Sequence, residues 1–130
     1  MLKLFMAIVA VMGSLWGASI QDDEQFKAAV AQFDDQKRTV LMIYTTDECP
    51  ECAYMKQKVF HDPAIESFMK HRFVVIEKNV HKDPLPDGYD YFGIPTMFFI
   101  DKGGKKKETI VGSQRPQPFL KALRRIEGKR

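Results

Sequence analysis

Cys49 and Cys52 are the only cysteines among 130 residues, and what flanks them constrains the fold more than any other stretch. An apolar run, Val40-Leu41-Met42-Ile43-Tyr44, leads into a polar loop, Thr45-Thr46-Asp47-Glu48. The pair itself, Cys49-Pro50-Glu51-Cys52, then opens a helical stretch from Ala53 to Phe60. A near-continuous apolar run is the pattern of a strand at the centre of a sheet covered on both faces. The order strand, loop, CxxC, helix puts Cys49 at a helix N-terminus. Backbone N–H groups without intrahelical partners gather there and favour the thiolate, the nucleophilic form of cysteine. A disulfide across two intervening residues closes a tiny loop and removes little chain entropy, so it is a poor structural staple. Redox chemistry is the better explanation of the pair.

The composition, 45% hydrophobic and 28% charged, fits one globular domain. A net charge of +3 is too small to argue for a nucleic-acid partner. The run Lys105-Lys106-Lys107 lies beside Gly103-Gly104 and reads as a solvated turn. At the N-terminus, Lys3 precedes an apolar core over 4–12 and the small residues Gly17-Ala18-Ser19. That is the pattern of a secretory signal peptide over 1–19, with cleavage before Ile20. The alternative is an uncleaved membrane anchor, but the apolar run is shorter than the roughly 20 residues of a spanning helix. No cysteine stands near the cleavage site, which excludes a lipoprotein anchor. The expected mature chain, 20–130, is exported to a bacterial periplasm.

The remaining pattern predicts the order α-β-α-α-β-β-β-α. Asp22-Asp23-Glu24 begin a helix whose Phe26, Val30 and Phe33 recur at helical spacing. After the CxxC helix, with Met55, Val59 and Phe60 towards the core, His61-Asp62-Pro63 breaks it and starts another. Asp62 suits the N-cap and Pro63 the first turn. Ala64, Ile65, Phe68 and Met69 form that helix's stripe. Phe73-Val74-Val75-Ile76 begins a strand running on through Glu77 towards Asn79, and a Pro- and Gly-containing loop follows over 80–90. Strands over 97–100 and 107–111 flank a turn at Asp101-Lys102-Gly103-Gly104, with Gly112 as a bulge. Pro116 opens a last helix whose inner face is Phe119, Leu120, Leu123 and Ile126. A layered α/β domain with a mixed sheet follows.

With the CxxC, the motif Gly93-Ile94-Pro95-Thr96 before a hairpin and the closing amphipathic helix, the chain resembles the thioredoxin superfamily. Within it, the pattern Met55-Lys56-x-x-Val59-Phe60-x-Asp62-Pro63-x-Ile65 is similar to exported thioredoxins of the SoxW type and to the C-terminal periplasmic domain of the disulfide reductase DsbD. The resemblance implies a thioredoxin-like fold over 20–130 and a cis bond before Pro95. It implies that the backbone of Ile94 pairs with a bound substrate peptide, with Pro50 and Glu51 beside it. It also implies thiol–disulfide exchange, with Cys49 the attacking and Cys52 the resolving sulfur.

Two departures from that family matter. Its usual Trp before the first Cys is Glu48 here. Its buried Asp in the preceding strand is Ile43 here, which cannot take a proton from Cys52. Glu77, on the next strand, is the candidate replacement relay, with Glu48 a second; the alternative places Glu77 at a strand end in water. Asp47, Glu48 and Glu51 surround Cys49 and disfavour a second negative charge. A reducing potential is therefore expected, and the reading is a reductase of periplasmic protein disulfides.

Alternatives from other classes are a disulfide oxidant or isomerase, a Cu(I) metallochaperone using the two thiolates, and a non-catalytic binding module. Ala53 excludes a c-type haem site, and His61, His71 and His81 are spread over separate segments. Met42, Met55, Met69 and Met97 fall at core positions. For Phe92 the expectation is packing beneath its loop; for Tyr89 and Tyr91, packing and a docking rim stay open. The redox-active disulfide itself is the expected centre, without a cofactor. The expected partners are a disulfide substrate and a dithiol donor, such as a membrane disulfide reductase. A monomer is expected.

Overall fold

The computed structural model describes residues 19–128, so the expected signal peptide over 1–19, apart from its last residue Ser19, lies outside the described residues. A 3-10 turn, Ile20–Asp22, leads into α1, Glu24–Val30. Next come β1, Thr39–Thr45, and α2, Pro50–Tyr54, which continues as one π-helical stretch, Met55–Val59. Then follow α3, Pro63–Lys70; β2, Phe73–Asn79; β3, Thr96–Ile100; β4, Lys106–Val111; and α4, Pro116–Glu127. The sheet runs β2-β1-β3-β4. β1 pairs parallel with β2, while β3 pairs antiparallel with both β1 and β4.

Every residue of β1 is buried, as its unbroken apolar run requires. Leu41 and Ile43 enter one core with Met55, Val59, Ile65, Met97, Phe99, Phe119 and Leu123, under α2, α3 and α4. Val40, Met42 and Tyr44 point the other way, into a second core with Ile20, Phe26, Tyr89 and Phe98, under α1. The two-residue period of a strand produces this division. Met42, Met55, Met69 and Met97 are all buried, so each packs as a core residue.

Several local expectations are corrected. α1 ends at Val30, so Phe33 reaches the second core from a loop rather than from the helix. The lysine run is not a free turn: Lys106 and Lys107 belong to β4. The Lys107 ammonium donates to the Thr39 hydroxyl at 2.8 Å, and that of Lys106 donates to the Gly88 carbonyl at 2.7 Å, over the Tyr89 ring. Gly112 is not a bulge inside β4 but the residue after its end, at φ 90°, where its N–H turns to the Pro95 carbonyl. The register shift lies instead at Phe99/Ile100.

α1 is fixed by a buried charge. Asp23 caps it by accepting from the Phe26 N–H at 3.0 Å. The same carboxylate meets the Lys78 ammonium at 2.7 Å, with side chains only 7% and 2% exposed. Gln25 accepts a further bond from Lys78 at 2.8 Å. A charge so deep requires this pairing, because an unpaired one would carry its full desolvation penalty.

Candidate active site

The C-terminal ends of β1 and β2 and the starting end of β3 lie together, with Thr45 opposite Asn79 and Tyr44 opposite Thr96. The end of β4 joins them, Val111 lying opposite Thr96. The loop after β1 therefore delivers Cys49 beside the loop that precedes β3. Cys49 is the N-cap of α2, and its extended backbone, φ −134° and ψ 97°, turns its sulfur towards the helix end. Cys49 Sγ accepts from the Cys52 N–H at 3.1 Å. Pro50 supplies the first helical residue, where its missing N–H is not needed. The two sulfurs are joined as a disulfide. Cys49 is half-buried, whereas Cys52 is 1% exposed.

Three consecutive residues after β4 hold this turn from the side. The Ser113 hydroxyl donates to the Glu51 carboxylate. The Gln114 N–H donates to the Met55 thioether at 3.2 Å, and the Arg115 guanidinium lies over the Tyr54 ring. Just before them, the Gly112 N–H reaches the Pro95 carbonyl at 2.7 Å. One short loop thus ties the CxxC helix to the Gly93–Pro95 segment. There the Ile94–Pro95 bond is cis, Pro95 is buried, Ile94 is half-buried, and the Thr96 hydroxyl donates to the Gly93 carbonyl at 2.5 Å.

The charged residues do not all gather here. Glu48, Pro50 and Glu51 are exposed beside the cysteines. Asp47 is drawn off: Lys82 approaches it at 2.7 Å and the Asn79 amide donates to it, and these bonds, that of Lys82 foremost, hold its carboxyl below the usual range. Ile43 sits in the core, and Glu77 lies directly across from it on β2. The Glu77 side chain is 43% exposed, with Lys56 at 2.7 Å and the Thr45 hydroxyl at 2.6 Å. Partial burial works to raise its pKa, but the bonds from Lys56 and Thr45 and the ammonium charge outweigh it, so the carboxyl titrates low. Sequence reasoning missed Lys56, Thr45 and Ser113. Lys56 carries a weak signal, one helical turn beyond Cys52, and Ser113 carries none.

The aromatic cluster divides. Tyr89 is buried; its hydroxyl donates to the Gly104 carbonyl, and its own carbonyl accepts from the Tyr44 hydroxyl, so packing is its role. Burial pushes the Tyr89 phenol up to about 12. Tyr91 stacks edge-on against Tyr44 with ring centroids 5.7 Å apart. Phe92 contradicts the expectation of packing: it is 98% exposed. Among the described residues, no group of three or more His, Cys, Asp or Glu is placed to hold a metal ion.

The profile of the thioredoxin-like domain family matches residues 26–127. The chain belongs to this family. It is 30% identical over 112 residues to the thiol:disulfide interchange protein DsbD of Ralstonia nicotianae, covering 82% of this chain. It is also 30% identical over 84 residues to DsbD 1 of Pseudomonas aeruginosa, covering 62% of this chain. The chain spans only 18% and 14% of those two proteins' lengths. A solved thioredoxin from Thermus thermophilus superposes at a TM-score of 0.57 with 31% identity, covering 68% of this chain and 73% of that one. The C-terminal domain of Neisseria meningitidis DsbD shares the fold at a TM-score of 0.55 and 22% identity, covering 78% and 93%. The chain is thus a CxxC-bearing thioredoxin-like domain, homologous to thiol–disulfide oxidoreductases, with the Cys49–Cys52 disulfide at the start of a helix.

Proposed function

We propose that the protein is an exported reductase of protein disulfides. In the reduced state, Cys49 thiolate attacks a sulfur of the partner's disulfide. A mixed disulfide forms and one partner thiolate leaves. Cys52 then loses its proton and attacks Cys49 Sγ, expelling the second partner thiolate. Two electrons have moved to the partner, and the Cys49–Cys52 disulfide described here is the product. A dithiol donor returns the electrons by the same exchange in reverse. The contrast between a half-buried Cys49 and a buried Cys52 supports this division of roles. Ile94, before Pro95, is the backbone against which the substrate lies in this reading.

The observation that carries the reductive direction is the charge around Cys49. Positions 45–52 hold Asp47, Glu48 and Glu51 and no basic residue. Lys82 offsets Asp47, while Glu48 and Glu51 are exposed next to the cysteines in the chain. A carboxylate nearby raises the thiol pKa and destabilises the thiolate, and a less stable reduced form is a better electron donor. Export is supported by the leader-like pattern over 1–19 and by the shared fold of a periplasmic thioredoxin, SoxS of Paracoccus pantotrophus. Equilibration of the purified protein in graded thiol buffers tests the direction. A potential nearer about −270 mV than about −120 mV is expected; a value near the upper figure makes the protein a disulfide donor and overturns the reductive reading.

A further inference from the structure

The loop between β1 and α2, which delivers Cys49, is held from one side by the turn that follows β2. Asn79 closes β2 opposite Thr45, and the Val80 N–H donates to the Thr45 carbonyl at 2.9 Å. Among the described residues, Asp47 is the one member of 46–48 with a hydrogen bond or ion pair to another segment. Both of its carboxylate oxygens are engaged. Oδ1 accepts from the Asn79 amide at 2.9 Å, and Oδ2 meets the Lys82 ammonium at 2.7 Å.

The turn is built to present these two donors. The Asn79 carbonyl accepts from the Lys82 and Asp83 N–H groups at 3.1 and 2.9 Å, and the Asn79 N–H donates to the Asp83 carboxylate at 2.7 Å. Asn79 Oδ1 accepts from the His81 N–H at 3.0 Å. With its oxygen so used, the amide turns its NH2 group to Asp47. Lys82 therefore closes on a carboxylate already fixed in place. The Lys82 and Asp47 side chains are 65% and 64% exposed, and an exposed ion pair adds little to stability. Fold stability does not account for this clamp.

Charge beside the disulfide does. Asp47 stands two residues before Cys49, so their Cα atoms are at most about 7 Å apart. The screening length at physiological salt is about 8 Å, so an unmatched charge on this loop is incompletely screened from Cys49. Of Asp47, Glu48 and Glu51, only Asp47 has an ion-pair partner among the described residues. The other charged groups of the turn are His81 and Asp83, and Asp83 is committed to the Asn79 N–H.

We propose that Lys82 is a positioning residue for the redox centre: it acts through Asp47, cancelling the carboxylate charge on the loop before Cys49 and so setting how readily the dithiol gives up electrons. This rests on the oxidoreductase reading and holds whichever way the electrons flow. Without Lys82, the Asp47 charge disfavours the Cys49 thiolate, and the reduced form becomes the better donor. Without Asp47, the Lys82 charge favours the thiolate, and the shift reverses.

A double-variant cycle on the full chain, equilibrated in graded thiol buffers, tests this. Lys82→Met is expected to move the equilibrium constant roughly threefold towards the disulfide and to raise the thiol pKa read by thiolate absorbance. Asp47→Asn is expected to move both the other way. Lys82→Met with Asp47→Asn is expected to return both close to wild type, and Lys82→Arg to leave both there. High salt is expected to shrink each shift. A Lys82→Met equilibrium equal to wild type overturns the proposal. So does a shift of one sign in both single variants that the pair compounds, because that is the mark of a loosened loop and not of a charge. The wild-type equilibrium by itself decides the direction of electron flow, while the differences among variants decide the role of Lys82. No reversible two-electron equilibrium in any of them overturns the oxidoreductase reading and the proposal with it.

Discussion

At the residue scale, the local environments of Glu48, Glu51 and Glu77 set different tasks. In the proposed reductase Glu48 and Glu51 act on the Cys49 thiolate by charge, so Glu48→Gln combined with Glu51→Gln should lower the thiol pKa and shift the reduction potential upward. Thiolate absorbance against pH reads the first change and thiol-buffer equilibration the second. Glu77 is held by Lys56 and Thr45 across from Ile43. If it receives the Cys52 proton, Glu77→Gln slows the resolving step on the order of a hundredfold, the weak end for a general base because Lys56 keeps its proton affinity low. An unchanged pH–rate profile removes Glu77 from the relay. Its lowered pKa also has a sign for stability. The contribution is present in full above the ordinary value of 4.5 and is lost as pH falls through the lower folded value. Glu77→Gln should therefore flatten the acid limb of unfolding, and an unaltered limb contradicts it. The cysteines were legible from sequence because their spacing is itself the signal. Lys56 and Ser113 were not, because they meet Glu77 and Glu51 only through tertiary contacts 21 and 62 positions away.

At the element scale, the strands and helices follow from apolar periodicity, and the order α-β-α-α-β-β-β-α holds throughout the described chain. Asp62 and Pro63 start α3 as read, the Asp62 carboxylate accepting from the Ala64 and Ile65 N–H groups at 3.1 and 3.4 Å. Asp62→Ala should cost about 1 kcal/mol in urea unfolding; no change in midpoint contradicts the cap. What periodicity does not show is the change to a π-helical stretch at Met55–Val59, because a single wider turn leaves the apolar residues on one face. The lysine run misleads for a related reason. Composition marks three lysines beside two glycines as solvent-facing, but Lys107 reaches Thr39 on a strand 68 positions earlier.

At the scale of the whole molecule, the buried Lys78–Asp23 pair joins the first helix to the edge strand β2 and so closes the second core. Lys78→Met leaves Asp23 charged and unpaired, and should cost about 3–5 kcal/mol. Adding Asp23→Asn should recover part of that loss; a near-neutral single variant contradicts the pairing. The cores meet on β1, whose end carries the disulfide, so the position of Cys49 is a property of the entire sheet. The exchange chemistry is tested most directly by mixed-disulfide trapping with an oxidised protein substrate. Cys52→Ser should accumulate a covalent complex through Cys49 that reducing agent releases, and Cys49→Ser should not. Equal trapping by both variants, or by neither, would contradict attack by Cys49 and resolution by Cys52.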